Sequence, residues 1–265
     1  MARNRNTPVK AAPWGLAWTG ACAGLVLATA VFAPARWLAS GLQHLSGDQV
    51  RLVDARGSVW QGSAQLVLSG GQGSNDSVAL PGSVAWRIRP TWGGLTAQLS
   101  ADCCTRMPLL FSAKLAGLQG LHVARADSQS QWPAGLLVGL GTPWNTVQPQ
   151  GQLLVSSQGF GAQWLEGRLS MAGQVQFDAT QMSSRLTTIA PMGSYRLTLQ
   201  GGSPSSFALA TLEGSLQLSG QGQWVGDRLR FEGEASAAPE RVEALSNLLN
   251  ILGRRDGARS IIKLG

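Results

Sequence analysis

The sequence predicts a mainly β protein: a single N-terminal transmembrane helix followed by a curved antiparallel β-sheet domain with a short C-terminal helix. Three observations carry this prediction. Residues 11–35 contain no charged side chain, alternation of apolar and polar residues recurs over most of the remaining chain, and the 34 glycines supply turns between short strands. Because all-β domains of roughly 200–250 residues are common, we expect one large β domain.

The first element is an apolar segment whose residues 14–33 number 20, which matches the thickness of a bilayer core. Arg3, Arg5 and Lys10 precede it, so the positive-inside rule places the N-terminus in the cytoplasm. A cleavable signal peptide is the alternative, but signal h-regions are shorter. We therefore expect a cytoplasmic tail over residues 1–13, an anchor over 14–35, a linker over 36–47 and a periplasmic β-rich domain over 48–265.

Period-two alternation after the linker predicts the strands. A first hairpin is expected over residues 50–68, and a second within residues 212–232. The predicted strands are residues 50–53, 58–68, 84–88, 95–101, 109–115, 122–126, 152–156, 164–177, 195–200, 206–219 and 224–234.

Two helices are expected within this domain. The short one follows Pro133, a favoured helix-start residue, and ends before Gly141 and Pro143. The longer one begins at Pro239 and carries an apolar stripe at spacings of three and four. Gly253 is expected to end it in a left-handed conformation.

Charge and motifs exclude several functional classes. The net charge is +7, but three of the basic residues precede the anchor and no basic run is interleaved with aromatics, so nucleic-acid binding is not indicated. The two histidines, His44 and His122, have no second ligand at metal spacing. The sequence lacks the zinc-protease, serine-esterase and nucleotide-loop motifs. We therefore expect no enzyme activity, no cofactor and no metal.

Cys103 and Cys104 are adjacent. The predicted compartment favours disulfides, but neighbouring Cα atoms lie closer than a normal disulfide allows. Buried thiols, pairing with another chain and a strained bond between the two remain open alternatives. The third cysteine, Cys22, is expected to be an apolar filler in the anchor.

Three segments carry a family resemblance. The first spans residues 55–64, the second residues 132–153 and the third residues 220–255. The residues that stand out in them are Gly57, Trp60 and Gly62 in the first, Trp132, Pro143 and Trp144 in the second, and Trp224, Leu248, Leu249, Gly253 and Arg254 in the third. Together with the anchor, these segments resemble the type II secretion system protein N family.

The resemblance implies a non-enzymatic, single-pass inner-membrane component of the machine that exports folded proteins from the periplasm across the outer membrane. It also implies partners among the inner-membrane platform proteins or the secretin. We expect strand edges, or the apolar stripe of the C-terminal helix, to recruit them. The alternative hypothesis is a lipid or apolar-ligand carrier whose curved sheet encloses a groove.

Overall fold

The structure is a computed structural model, which describes residues 14–115, 120–165, 168–225 and 228–264. The predicted cytoplasmic tail, residues 1–13, lies outside the described residues.

Two helices open the described chain, α1 (Trp14–Val31) and α2 (Ala35–Leu45). In the ranges given above, no helix is both long and apolar enough to span a bilayer. Most of the segment predicted to be a linker, residues 36–47, lies in helix α2. Its amphipathic sequence explains this, because Ala35 and Leu38 pack against the sheet while the opposite side of the helix faces solvent.

The described strands form one 16-stranded sheet in which every pair is antiparallel, so the predicted fold class is confirmed for the sheet. The order across it is β1-β2-β4-β5-β6-β7-β9-β10-β11-β12-β13-β14-β16-β15, with β3 beside β2 and β8 beside β9. The strands are β1 Val50–Gly57, β2 Gln61–Ser69, β3 Ser77–Ala79, β4 Val84–Thr91, β5 Gly94–Ala101, β6 Leu109–Leu115, β7 Gly120–Arg125, β8 Ser128–Pro133, β9 Gln150–Leu165, β10 Arg168–Ser183, β11 Gly193–Gly202, β12 Ser206–Gly214, β13 Leu216–Val225, β14 Arg228–Ala237, β15 Arg254–Asp256 and β16 Arg259–Leu264.

Three predicted strands were wrong in extent, because each runs through a hairpin. Residues 164–177 cover the end of β9 and much of β10, residues 206–219 cover β12 and the start of β13, and residues 224–234 join β13 to β14. Period-two alternation continues on both sides of a tight turn, so it does not mark where the chain reverses. The expected first hairpin, β1 with β2, is confirmed.

The remaining helical elements cover one face of the sheet. A 3-10 helix over Ala134–Leu140 leads to α3 (Trp144–Val147), and a short 3-10 turn leads to α4 (Val242–Leu252). We call the covered surface the core face. Its largest buried cluster joins α4 to β11, β13 and β14 and contains Ala134, Val147, Met182, Met192, Tyr195, Leu216, Ala235, Leu245, Leu248 and Leu249.

The predicted left-handed cap at Gly253 was wrong. Gly253 has φ −175° and ψ −172°, which is extended backbone, and β15 begins at the next residue. Glycine is needed here for close packing, since a Cβ atom would collide with the carbonyl oxygen of Ile261.

Candidate functional site

We call the three segments that carry the family resemblance the shared segments: residues 55–64, 132–153 and 220–255. The first shared segment contacts the junction between α1 and α2. The indole Nε1 of Trp60 donates to the carbonyl oxygen of Ala30 at 2.8 Å, and the Val59 amide donates to the carbonyl oxygen of Ala33 at 2.9 Å. Pro34 and Ser58 form an antiparallel bridge. We call these contacts between residues 58–60 and 30–34 the hairpin clasp.

Local sequence shapes the turn that forms the hairpin clasp. Gly57 has φ +88°, a conformation in which other residues are strained, and a Cβ atom there would lie 2.5 Å from the carbonyl oxygen of Gln61. The Ser58 amide donates to that same oxygen at 2.8 Å, and the Gln61 amide donates to Ser58 Oγ at 3.1 Å. The turn between β1 and β2 is therefore held from both of its ends.

A second tryptophan, Trp86, packs against the turn and hydrogen-bonds to its backbone. A Cβ atom on Gly62 would lie 2.5 Å from Cζ2 of Trp86, so the indole of Trp86 covers this glycine. The Trp86 Nε1 also donates to the carbonyl oxygens of Ser58 and Val59, at 3.2 and 3.1 Å. Trp86 therefore covers bare backbone in the sheet, while Trp60 reaches the helix.

The hairpin clasp supplies a partner that the end of α1 needs. The last four carbonyl groups of an α-helix have no partner within the helix, and Ala30 is among them in α1. The adjoining Ala33 and Ala35 are 7% and 1% exposed, and Ala35 packs in one cluster with Ala64 and Trp86. The end of α1 and the start of α2 are thus attached to the sheet by hydrogen bonds and by apolar packing.

The second shared segment packs onto β2 and β3. Trp132 donates through Nε1 to Ser130 Oγ at 2.9 Å, and its ring joins a cluster around Leu80 and Leu136. Gly139 lies so close to β2 that a Cβ atom would be 2.5 Å from the carbonyl oxygen of Leu68. Pro143 precedes α3 and Trp144 begins it with 37% of its surface exposed.

The glycine-rich loop over residues 70–76 belongs to the same place, which the sequence did not indicate. Asn145 of α3 donates through Nδ2 to Asp76 Oδ2 at 2.8 Å, and the Gly70 amide donates to the Asp76 carbonyl oxygen at 3.1 Å. Asn145 follows Trp144 directly, so the second shared segment fixes the conformation of a loop distant in sequence.

The third shared segment lies near the other end of the sheet. Trp224 of β13 is 5.7 Å from Phe207 between ring centroids, and Phe207 stacks on Phe231 at 5.1 Å. Leu248 and Leu249 of α4 are almost fully buried, and Arg254 is exposed at the start of β15. The first and third segments lie toward opposite ends of the strand order. The second and third segments meet in the largest buried cluster, where Ala134 and Val147 pack with Leu248 and Leu249.

The packing of α4 removes one of the expected interaction surfaces. Leu245, Leu248 and Leu249 are at most 1% exposed and contact residues of the sheet. The apolar stripe is covered by the chain's own β11, β13 and β14, so it is not a free surface for partners. Ile251, on the outer side of α4, is 42% exposed.

Cys103 and Cys104 form a disulfide with each other, in the turn between β5 and β6. Cys104 is buried beside Leu80, while Cys103 is exposed. The Cys104 carbonyl oxygen accepts from the Gln131 amide of β8 at 2.9 Å. Of the three alternatives left by the sequence, the structure has the bond between neighbours.

Within the described ranges, no group of three or more His, Cys, Asp or Glu side chains could hold a metal ion. His44 is exposed at the end of α2, and His122 lies half-buried in β7. The two histidines therefore lie on different elements.

An ion pair between a largely buried carboxylate and a partly exposed guanidinium lies in the middle of the sheet. Asp178 of β10 and Arg196 of β11 are cross-strand partners, and two hydrogen bonds of 2.8 Å join the guanidinium to the carboxylate. The hydrogen bond from Arg196 lowers the pKa of Asp178 below its ordinary value, against the opposing effect of burial. This pair has the geometry of a structural brace, because both groups already satisfy each other.

One part of the core face remains uncovered. Leu95 lies on the same face of β5 as buried Ala101, while Leu115, Leu121 and Trp164 are directly paired across β6, β7 and β9. All four are at least 42% exposed. We call them the core-face patch; they lie near the ends of their strands, away from α3 and α4.

These features describe a mainly β protein with one large antiparallel sheet, in which the shared segments pack helices and loops against the sheet. The model of the family described as type II secretion system (T2SS), protein N, matches residues 48–262. The chain therefore belongs to the type II secretion system protein N family, which indicates a role in type II secretion. No curated protein and no solved structure matches it significantly.

Proposed function

We propose that this chain is a non-enzymatic component of the type II secretion machinery, anchored in the inner membrane by α1. Its sheet domain lies in the periplasm and supports the export of folded proteins across the outer membrane by binding other components. Family membership over residues 48–262 is the observation that carries this proposal. The expected partners are inner-membrane platform proteins and the secretin.

The anchor is supported by the sequence and the surface of α1. Residues 11–35 carry no charge, and Leu25, Val26 and Leu27 are each 69% exposed, which disfavours α1 as a free helix in water. The basic residues before α1 favour a cytoplasmic N-terminus. The length of the uncharged sequence also supports the anchor, because the 20 residues 14–33 would extend about 30 Å as a helix, the thickness of a bilayer core.

The hairpin clasp gives the anchor a mechanical role. A flexible linker would let the sheet move freely above the membrane, whereas contacts from Trp60 and Val59 fix it to the end of α1. The sheet would then be presented to neighbouring membrane proteins in one orientation. Such preorganisation lowers the entropic cost of assembly.

Membrane extraction tests the anchor. We expect the full-length chain to stay with the membrane pellet in alkaline carbonate and a chain starting at Arg36 to be released. Release of the full-length chain would contradict the proposed anchor.

Deletion of the chain in its native host tests the export function. We expect a folded substrate of the type II system to leave the periplasm more slowly, and expression of the full-length chain to restore export. A protein exported by another route serves as the control. Equal export of the type II substrate with and without the chain would contradict the proposal.

The core-face patch favours a second candidate function, a carrier of lipids or other apolar ligands. Leu115 and Trp164 are 72% and 51% exposed, although they lie on the face that elsewhere forms the core. Exposed apolar clusters of this kind often mark binding surfaces. Native mass spectrometry of the full-length protein tests this function: a co-purifying lipid lost in Leu115→Ser supports it, and a ligand-free protein contradicts it.

A further inference from the structure

The C-terminal end of the sheet has an unpaired backbone edge. Asp256 and Arg259 pair across a two-residue turn, and Arg254 pairs with Ile261. In this register the next partner of β16, opposite Lys263, would be Leu252, but Leu252 is the last residue of α4. No described strand therefore pairs with Lys263 on the β15 side.

The register also fixes the direction of the Lys263 backbone groups. Residues that flank a two-residue hairpin turn exchange both of their hydrogen bonds, and the direction alternates along the strand. Arg259, Ile261 and Lys263 therefore point their N–H and C=O groups toward β15, whereas Ile262 points toward β14. Among the described strands none pairs with the Lys263 amide and carbonyl on this side, so an added strand can pair there.

Charge at this edge is unbalanced. A groove beside it is lined by Gly253, Arg254, Arg255, Asp256 and Lys263, together with apolar residues of α4 and β16. In the part of the chain that the structure describes, Arg255 Nη1 is buried without a hydrogen-bond partner, and neither Arg254 nor Arg255 forms an ion pair.

The other basic side chains of β16 already have partners. Lys263 pairs with Glu232 at 3.3 Å and Arg259 with Glu234 at 3.5 Å, both across to β14. The uncompensated positive charge therefore lies at the groove, whose lining contains two arginines, Arg254 and Arg255, and one carboxylate, Asp256.

The geometry points to a binding site for an extended protein segment that carries carboxylates and adds to the sheet beside Lys263. Backbone hydrogen bonds to Lys263 hold the segment, and carboxylates on its outer face approach Arg254, which lies on the exposed face of β15 with Ile261. This inference deepens the proposed assembly role, since it specifies the chemistry of the partner segment.

Fluorescence anisotropy with two labelled octapeptides tests the site on the full-length protein in detergent, at about 0.15 M salt. One probe alternates valine and glutamate and the other alternates valine and lysine. We expect the glutamate peptide to bind and the lysine peptide to bind far more weakly. Equal affinity for both peptides, or no binding of the glutamate peptide, overturns the inference.

Substitutions at Lys263 separate the backbone from the side chain. Lys263→Pro removes the outward N–H, and we expect it to lower the affinity for the glutamate peptide about tenfold. Lys263→Ala keeps the N–H and serves as the matched control, with a smaller loss. Proline is tolerated on an edge, so the β14–β16 ladder is retained. Equal affinity of the proline and alanine variants overturns the backbone pairing.

Charge reversal gives a second test that does not depend on proline. We expect Arg254→Glu to weaken the glutamate peptide about fivefold, while Arg241→Glu makes the same charge change at the far end of α4 without effect. Equal losses from both variants overturn the site. Peptide binding is measured without secretion, so the two proposals can fail separately. Unchanged export after deletion refutes the proposed function but not the binding site at Lys263. Absence of peptide binding refutes the site but not the proposed function.

Discussion

Two alanine substitutions in α4 test whether its apolar stripe is core. Leu248 is 1% exposed and contacts a cluster that includes Leu245 and Leu249, while Ile251 is 42% exposed on the same helix. Both substitutions remove three carbon atoms. The difference between their effects therefore reports burial rather than the number of atoms removed.

We expect Leu248→Ala to lower the free energy of unfolding by about 3–5 kcal/mol, because buried Leu→Ala changes lose both transfer free energy and packing. Ile251→Ala should cost less than about 1 kcal/mol, since much of its side chain is already in water and alanine is the better helix former. Urea unfolding of the full-length protein, followed by tryptophan fluorescence, measures both values.

Comparable losses in the two variants would refute the described packing of α4. So would a stable Leu248→Ala protein that no longer supports export, because that result would return the stripe to the role of a partner surface.

Three further predictions concern the hairpin clasp and the sheet. Trp60→Phe removes one indole donor, so we expect a loss of about 0.5–1.5 kcal/mol in unfolding free energy and faster amide exchange at the end of α1. Arg196 lowers the pKa of Asp178 in the folded protein. The ionised carboxylate therefore contributes to the free energy of unfolding above about pH 4, and this contribution is lost as the pH falls further. Asp178→Asn should remove this acid-dependent loss of stability. Gly62→Ala forces a Cβ against Trp86 and should cost about 1–3 kcal/mol in thermal unfolding.

Each of these predictions has a result that would contradict it. Unchanged amide exchange at the end of α1 in Trp60→Phe would mean that the indole hydrogen bond does not hold α1. An unchanged dependence of stability on acid pH in Asp178→Asn would mean that the Asp178–Arg196 pair does not stabilise the fold. Gly41→Ala is the control for Gly62→Ala, because Gly41 lies in α2 with open space around its Cβ position. Gly41→Ala should therefore be neutral or stabilising.

The sequence predicted the sheet because strand periodicity is a local property. Alternation in β4, β5 and β6 was readable, as were the two helical segments after Pro133 and Pro239. Chain reversals without a break in alternation, such as the one between β12 and β13, were not readable, since the same period continues on the returning strand. The conformation of Gly253 was missed for a related reason: the Ile261 backbone that it approaches comes later in the chain.

The roles of the shared residues depended on tertiary contacts. Both Trp60 and Trp86 lie in predicted strand segments, and nothing in the sequence distinguishes their roles. In the structure Trp60 hydrogen-bonds to the end of α1, and Trp86 covers Gly62. Asn145 and Asp76 are separated by 69 positions, so their hydrogen bond had no local signal. The free edge at Lys263 likewise appears only when the registers of β14, β15 and β16 are known.

Photo-crosslinking in the native envelope tests the central claim most directly. The crosslinking residue is placed at Ile251 on α4 and, separately, at Trp92 in the turn between β4 and β5, both exposed in the full-length chain. We predict that mass spectrometry of the products recovers a platform protein or the secretin of the type II system. Recovery of no secretion component from either position would contradict an assembly role for this protein.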